Sequence, residues 1–264
     1  MKIQTLSLQT LGLLVLAFAG TAANAAIIGE QNFNALDSST TQTFDSLADG
    51  SALTNAASMN VGGPGLDFQT YWFDTRSLGT GPVLSSGDTS DFVGVNSFSG
   101  FNAPSTAADG TPVAAGVEHN FEFNDADGKL ALTFEALDIS GFDSRELSLD
   151  VWVNSTGFES TDAFTISLED TSQSISLIAW GESELEANGG NWLSLDFDLD
   201  AAVANYGLDA SSISLVVGSD TNASSENIFV DNILFTGNAV DVPAPATFWL
   251  VALGLIGLAR SRRI

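Results

Sequence analysis

Among the 33 carboxylates of this chain, Asp231 stands out because of its neighbours. In Ile228-Phe-Val-Asp-Asn-Ile-Leu-Phe235 a period of two puts it on one face with Phe229, Ile233 and Phe235. If that face is the core, a carboxylate is being buried, which is costly unless it is paired or bound to a cation. Basic partners are scarce: Arg76, Lys129 and Arg145 are the only ones between residues 26 and 241. Calcium, which takes oxygen ligands, is the cation this composition suits, with Glu30 and Asp162 as candidate co-ligands of Asp231. Hydrogen bonds from loop backbone N–H groups to Asp231 are the competing expectation.

The second candidate chemistry is aromatic. Trp152 alternates against Val151 and Val153, and Trp192 shares parity with Ser194 and Asp196. Both therefore point away from the apolar face, where a large ring suggests a sugar-stacking platform. Packing at a sheet edge is the plainer role for either ring. Other chemistry is thin. Without Cys there is no thiolate nucleophile and no thiolate metal site, and His119 is the single His, which excludes a multi-His metal centre. Asp125-Ala-Asp-Gly128 has Phe123 where a calcium-loop acid would stand, so it reads as a hairpin turn. Gly62-Gly-Pro-Gly65 lacks a following Lys-Ser/Thr and is loop punctuation.

The elements that carry these residues read as strands. Leu147, Leu149, Val151 and Val153 share one face, as do Phe164, Ile166 and Leu168. Leu193, Leu195, Phe197 and Leu199 alternate with Ser194, Asp196 and Asp198; Ile213 to Val217 and Ile228 to Phe235 follow. About eight strands after residue 118 predict an all-β, antiparallel, jelly-roll-type sandwich over residues 26–238. Residues 30–115 are looser, and Phe33, Phe44, Phe68, Trp72 and Phe73 are expected to plug the core from short first strands. A disordered arm is the alternative.

Both ends read as addresses. Lys2, an apolar run over Leu11 to Ala19 and Ala23-Asn-Ala25 make residues 1–25 a signal peptide, cut by signal peptidase after Ala25. Residues 239–264 form a tail with a predicted membrane helix over 247–259 and a basic end, Arg260, Arg262 and Arg263, kept cytoplasmic by the positive-inside rule. Pro243 and Pro245 resist helix just before it. The uncharged run Phe248 to Ala259 is 12 residues, roughly 18 Å of helix against a hydrocarbon core of ~30 Å. All 33 acidic residues lie between the two ends against three basic ones, a surface that repels nucleic acid and suits divalent cations or a salty medium.

The box Val242, Pro243, Ala244 and Pro245, the apolar helix and Arg260 to Arg263 together resemble the PEP-CTERM sorting tail of Gram-negative bacteria, with Ala244 where that family's name-giving Glu stands. The resemblance implies transient anchoring in the inner membrane and recognition by an exosortase-type peptidase near the box. From residue 118 onward, Leu137-Asp-Ile-Ser-Gly-Phe142, Asp162-Ala-Phe-Thr-Ile-Ser-Leu168 and Ile228 to Phe235 resemble the galactose-binding-like or concanavalin-like jelly rolls of secreted proteins. The expectation is an exported, non-catalytic cell-surface or matrix protein associated with exopolysaccharide and able to bind glycan. A purely structural coat or adhesion protein and a secreted carbohydrate-active hydrolase are the rival expectations.

Overall fold

The computed structural model describes residues 25–34, 49–52, 65–77, 92–96, 119–125, 127–154, 157–223 and 225–240. They form strands β1 (Ala26–Gln31), β2 (Ser51–Ala52), β3 (Phe68–Phe73), β4 (Phe92–Asn96), β5 (Asn120–Asn124), β6 (Gly128–Phe134), β7 (Phe142–Val153), β8 (Ala163–Glu169), β9 (Ser174–Trp180), β10 (Trp192–Asp198), β11 (Ser214–Thr221) and β12 (Ile228–Ala239). Two short helices, α1 (Glu182–Asn188) and α2 (Leu199–Tyr206), interrupt them. The fold is an all-β, two-sheet antiparallel sandwich. The first sheet runs β10-β7-β12-β5-β4, with β1 also on β12; the second runs β2-β3-β6-β11-β8-β9.

Alternation accounts for the core. Leu147, Leu149, Val151 and Val153 of β7 face Phe164, Ile166 and Leu168 of β8 and Leu130, Leu132 and Phe134 of β6 across the sandwich, all within one buried cluster. The loosely patterned N-terminal half joins the same sheets through β1 to β4. Phe33, Phe68 and Phe121 pack ring to ring with centroids 5.6 to 5.9 Å apart, tying that half into the core. Each buried Phe contributes about 2–3 kcal/mol of apolar transfer free energy. Phe44 lies outside the described residues.

Three local features depart from the sequence pattern. First, the 124–128 turn is a corner between sheets, because β5 gives its two edges to β4 and β12 while β6 gives its own to β3 and β11. Asp125 and Asp127 make that corner at φ 46° and 48°, left-handed conformations that Asp tolerates. Second, β12 bulges between Asp231 and Leu234, with Asn232 at φ 50°. Ile228 and Val230 face the core before the bulge, and Ile233 and Phe235 after it. Asp231 therefore shares the outer face with Phe229, not with Ile233 and Phe235. The bulge also marks where β12 changes partner, from β5 to β1.

Third, β10 stops at Asp198, whose carboxylate accepts the Ala201 N–H at 2.8 Å and starts α2. Leu199 is buried from a helix, with Ala202 one turn on. At the two ends, the cleavage-site Ala25 is exposed just before β1, and Ala23 with the rest of signal residues 1–24 lies outside the described residues. So do the sorting box Val242, Pro243, Ala244 and Pro245, the expected membrane helix over 247–259, and Arg260, Arg262 and Arg263. Among the residues described, no helix is long and apolar enough to cross a membrane.

Candidate functional site

A row of paired residues crosses the outer face of the first sheet. Trp192 is the direct partner of Trp152, Trp152 of Phe229, and Phe229 of Glu122. The Trp152 and Phe229 rings meet edge to face, with centroids 5.5 Å apart. Trp152 is 8% exposed and Phe229 fully buried, whereas Trp192, on the edge strand, is half-buried. Beyond Phe229 the row turns polar: Asn227 Nδ2 donates to Glu122 Oε1 at 2.8 Å, and both residues are buried. The two tryptophans singled out in the sequence are thus brought side by side, although only one is open to solvent.

One pleat along, Asp150 holds the bulge. Its carboxylate accepts Ser194 Oγ–H at 2.5 Å and Asn232 Nδ2–H at 2.8 Å. Asp231 Oδ1 accepts the backbone N–H of Asn232 at 2.7 Å. Glu30 is exposed on β1 opposite Leu234, and Asp162 precedes β8 in the second sheet. Among the described residues no three acidic or His side chains gather around one point, so Asp231, Glu30 and Asp162 do not form a common cage. His119 is half-buried, and its backbone N–H donates to Asn34 Oδ1 at 2.7 Å.

The densest electrostatics lie at one end of the sandwich, where the loop between β7 and β8 packs on the loop between β11 and β12. Asn154 N–H donates to Asn227 O at 2.9 Å and Asn154 Nδ2 to Ser225 O at 2.5 Å. Gly157 sits at φ +109°, and a Cβ there would lie 2.3 Å from Ser225 Oγ, so only Gly lets the loops close. Arg76, just after β3, reaches over β6. Its Nη2 donates to Asp162 Oδ1 at 3.3 Å and Asp220 Oδ1 at 3.0 Å, and its Nη1 to Thr161 Oγ1 at 3.1 Å. Burial pushes the Asp162 carboxyl up; the Glu159 N–H and the guanidinium oppose that shift.

Glu226, in the β11–β12 loop, is fully buried. Its Oε2 accepts Asn222 N–H at 2.7 Å and Ala223 N–H at 2.9 Å, while Oε1 has no hydrogen-bond partner among the described residues. Burial first, and then the charges of Asp162 and Glu159, push its pKa up to about 7. The native state therefore holds this proton where the unfolded chain, near 4.5, has released it. That stabilisation is complete below pH 4.5 and is lost as pH rises through 7. In EDTA, urea unfolding is expected to show a loss on the order of 2 kcal/mol between pH 5 and 8 that Glu226→Gln abolishes. An equal pH dependence in wild type and variant would contradict it. Neither Glu226 nor the Arg76 pairs were singled out in the sequence; the one available signal was the scarcity of basic residues. A separate shallow concavity of about 650 Å³ is lined by Ser144, Arg145, Glu146, Asp196, Phe197, Asp198 and Asp200, with Arg145 Nε paired to Asp200.

No curated protein matches this chain. Among solved structures, its sandwich resembles carbohydrate-binding modules. One described among modules of the β-sandwich superfamily is 13% identical, over 71% of this chain and 62% of that one, with a TM-score of 0.38. The family 30 module of a Clostridium thermocellum cellulosomal cellulase is 12% identical over 73% and 96%, with a TM-score of 0.36. The family 11 module of another cellulosomal cellulase from that organism is 12% identical over 83% and 100%, with a TM-score of 0.34. At the C-terminus, residues 241–263 match the PEP-CTERM protein-sorting motif, which implies exosortase processing and sorting to the cell surface, and the chain carries that motif.

Proposed function

We propose that this is a non-catalytic protein of the cell surface or extracellular matrix of a Gram-negative bacterium. It is held transiently in the inner membrane by its tail, freed by an exosortase-type peptidase near Val242 to Pro245, and binds exopolysaccharide on the outer face of its first sheet. The observation that carries the glycan reading is the row Trp192, Trp152, Phe229, Glu122. An aromatic face takes the C–H side of a sugar ring, and the buried Glu122–Asn227 pair closes the far end of the row beneath the surface. Trp192, on the edge strand, is the ring that meets the sugar, and Trp152 backs it. With 33 acidic residues in the sequence, polyanionic glycans are repelled, so the favoured ligand is a neutral polysaccharide.

Electrophoresis of the protein through gels containing neutral polysaccharides tests this. Wild type should be retarded, and Trp192→Ala should weaken retention at least ~10-fold while melting within about 2 °C of wild type. The burial of Trp152 and Phe229 favours a second reading, a structural coat or adhesion protein in which these rings only pack. No retention in any gel would favour that reading and remove the glycan one.

A further inference from the structure

We propose that the packed β7–β8 and β11–β12 loops hold a divalent cation, best fitted by calcium, with Glu226 Oε1 and Asn222 Oδ1 as its side-chain ligands. Both oxygens are buried and lack a hydrogen-bond partner among the described residues. An unpaired buried carboxylate oxygen is expensive, and a buried ionised carboxylate more so, unless a cation meets it. No basic side chain does so here: the ion pairs among the described residues are Arg76 with Asp162 and Asp220, and Arg145 with Asp200. What faces Glu226 from the opposing loop is further negative charge, from buried Asp162 and exposed Glu159. Asp162 is already occupied, Oδ1 by Arg76 and Oδ2 by the Glu159 N–H at 2.5 Å.

The donor set is all oxygen, which selects a hard cation, and one carboxylate, one amide and backbone or water oxygens match the mixed coordination of calcium better than the strict octahedron of magnesium. With few charged ligands the affinity falls in the range of about 10⁻⁴ to 10⁻³ M seen for extracellular calcium modules. Among the described residues, Asn154 bonds to Ser225 O and Asn227 O on either side of Glu226, and the Asn222 and Ala223 N–H groups hold its other carboxylate oxygen. This site is distinct from any centred on Asp231.

The test uses the full-length protein in a neutral detergent at pH 7.5. Relative to EDTA, ~5 mM calcium chloride should raise the melting temperature by about 5 °C, and calorimetry should show one site. Glu226→Gln should lose that rise while melting in EDTA at or above wild type, and Asp231→Asn should keep it. Asn222→Ala, which leaves the carboxylate in place, should weaken calcium binding about 10-fold. A wild-type melt indifferent to calcium, or a rise that survives in Glu226→Gln, overturns the site.

Discussion

Replacing Arg76 by methionine is expected to lower the stability of the folded chain by about 3 kcal/mol, or roughly 9 °C in melting temperature. The reason is the company Arg76 keeps. One guanidinium nitrogen serves Asp162, whose side chain is fully buried, and Asp220, and so spans from the end of β3 to β8 and β11. Removing it leaves a buried carboxylate with only the Glu159 N–H, next to Glu226, in a domain with two other basic residues. Methionine keeps the apolar stem, so the loss reports the charge. Arg145→Met is the control. Its partner Asp200 is 39% exposed, and a solvent-screened pair of that kind is worth about 0.5 kcal/mol. Urea unfolding of the two variants checks the contrast; losses of similar size would contradict it.

Ending the chain after Val240 is expected to stop sorting, a drop of at least ~10-fold in the surface-bound fraction, with no change in melting. Stability should hold because β12 ends at Ala239, and the Val240 N–H already finds Gly141 O at 3.0 Å. Sorting should fail because the box and the long uncharged run after it, Phe248 to Ala259, go with the tail. At roughly 18 Å that run is a marginal span, so changing Arg260, Arg262 and Arg263 to Glu should have a similar effect by removing the cytoplasmic stop. Fractionation and immunoblotting of the host cells provide the measurement. Undiminished surface protein in the truncated strain would mean that the sandwich reaches the surface without the sorting tail.

Strand faces could be read from the chain wherever a strand kept one parity. Leu147 to Val153 and Phe164 to Leu168 are such cases, since each needs only its own alternation. Alternation misleads where geometry changes within a strand. Nothing in Ile228 to Phe235 announces the left-handed Asn232, which turns Ile233 and Phe235 to the face opposite Phe229 and Asp231, while Asp231 itself stays buried. The parity of Trp152 and Trp192 was legible, but their pairing depends on the register between β7 and β10, which no local pattern encodes. The charged end was hidden for the same reason: Arg76 finds Asp162 and Asp220 across 86 and 144 residues of sequence. Glu226 became conspicuous only once burial could be assigned, because sequence alone gives it the same weight as the other 32 acids.

The tail is proposed as a temporary handle on an exported sandwich. Intact mass spectrometry of the protein recovered from the surface of its own cells tests that most directly. The predicted result is a chain that begins at Ala26 and ends close to the Val242, Pro243, Ala244, Pro245 box. A mass that still includes Phe248 to Ile264 would contradict it.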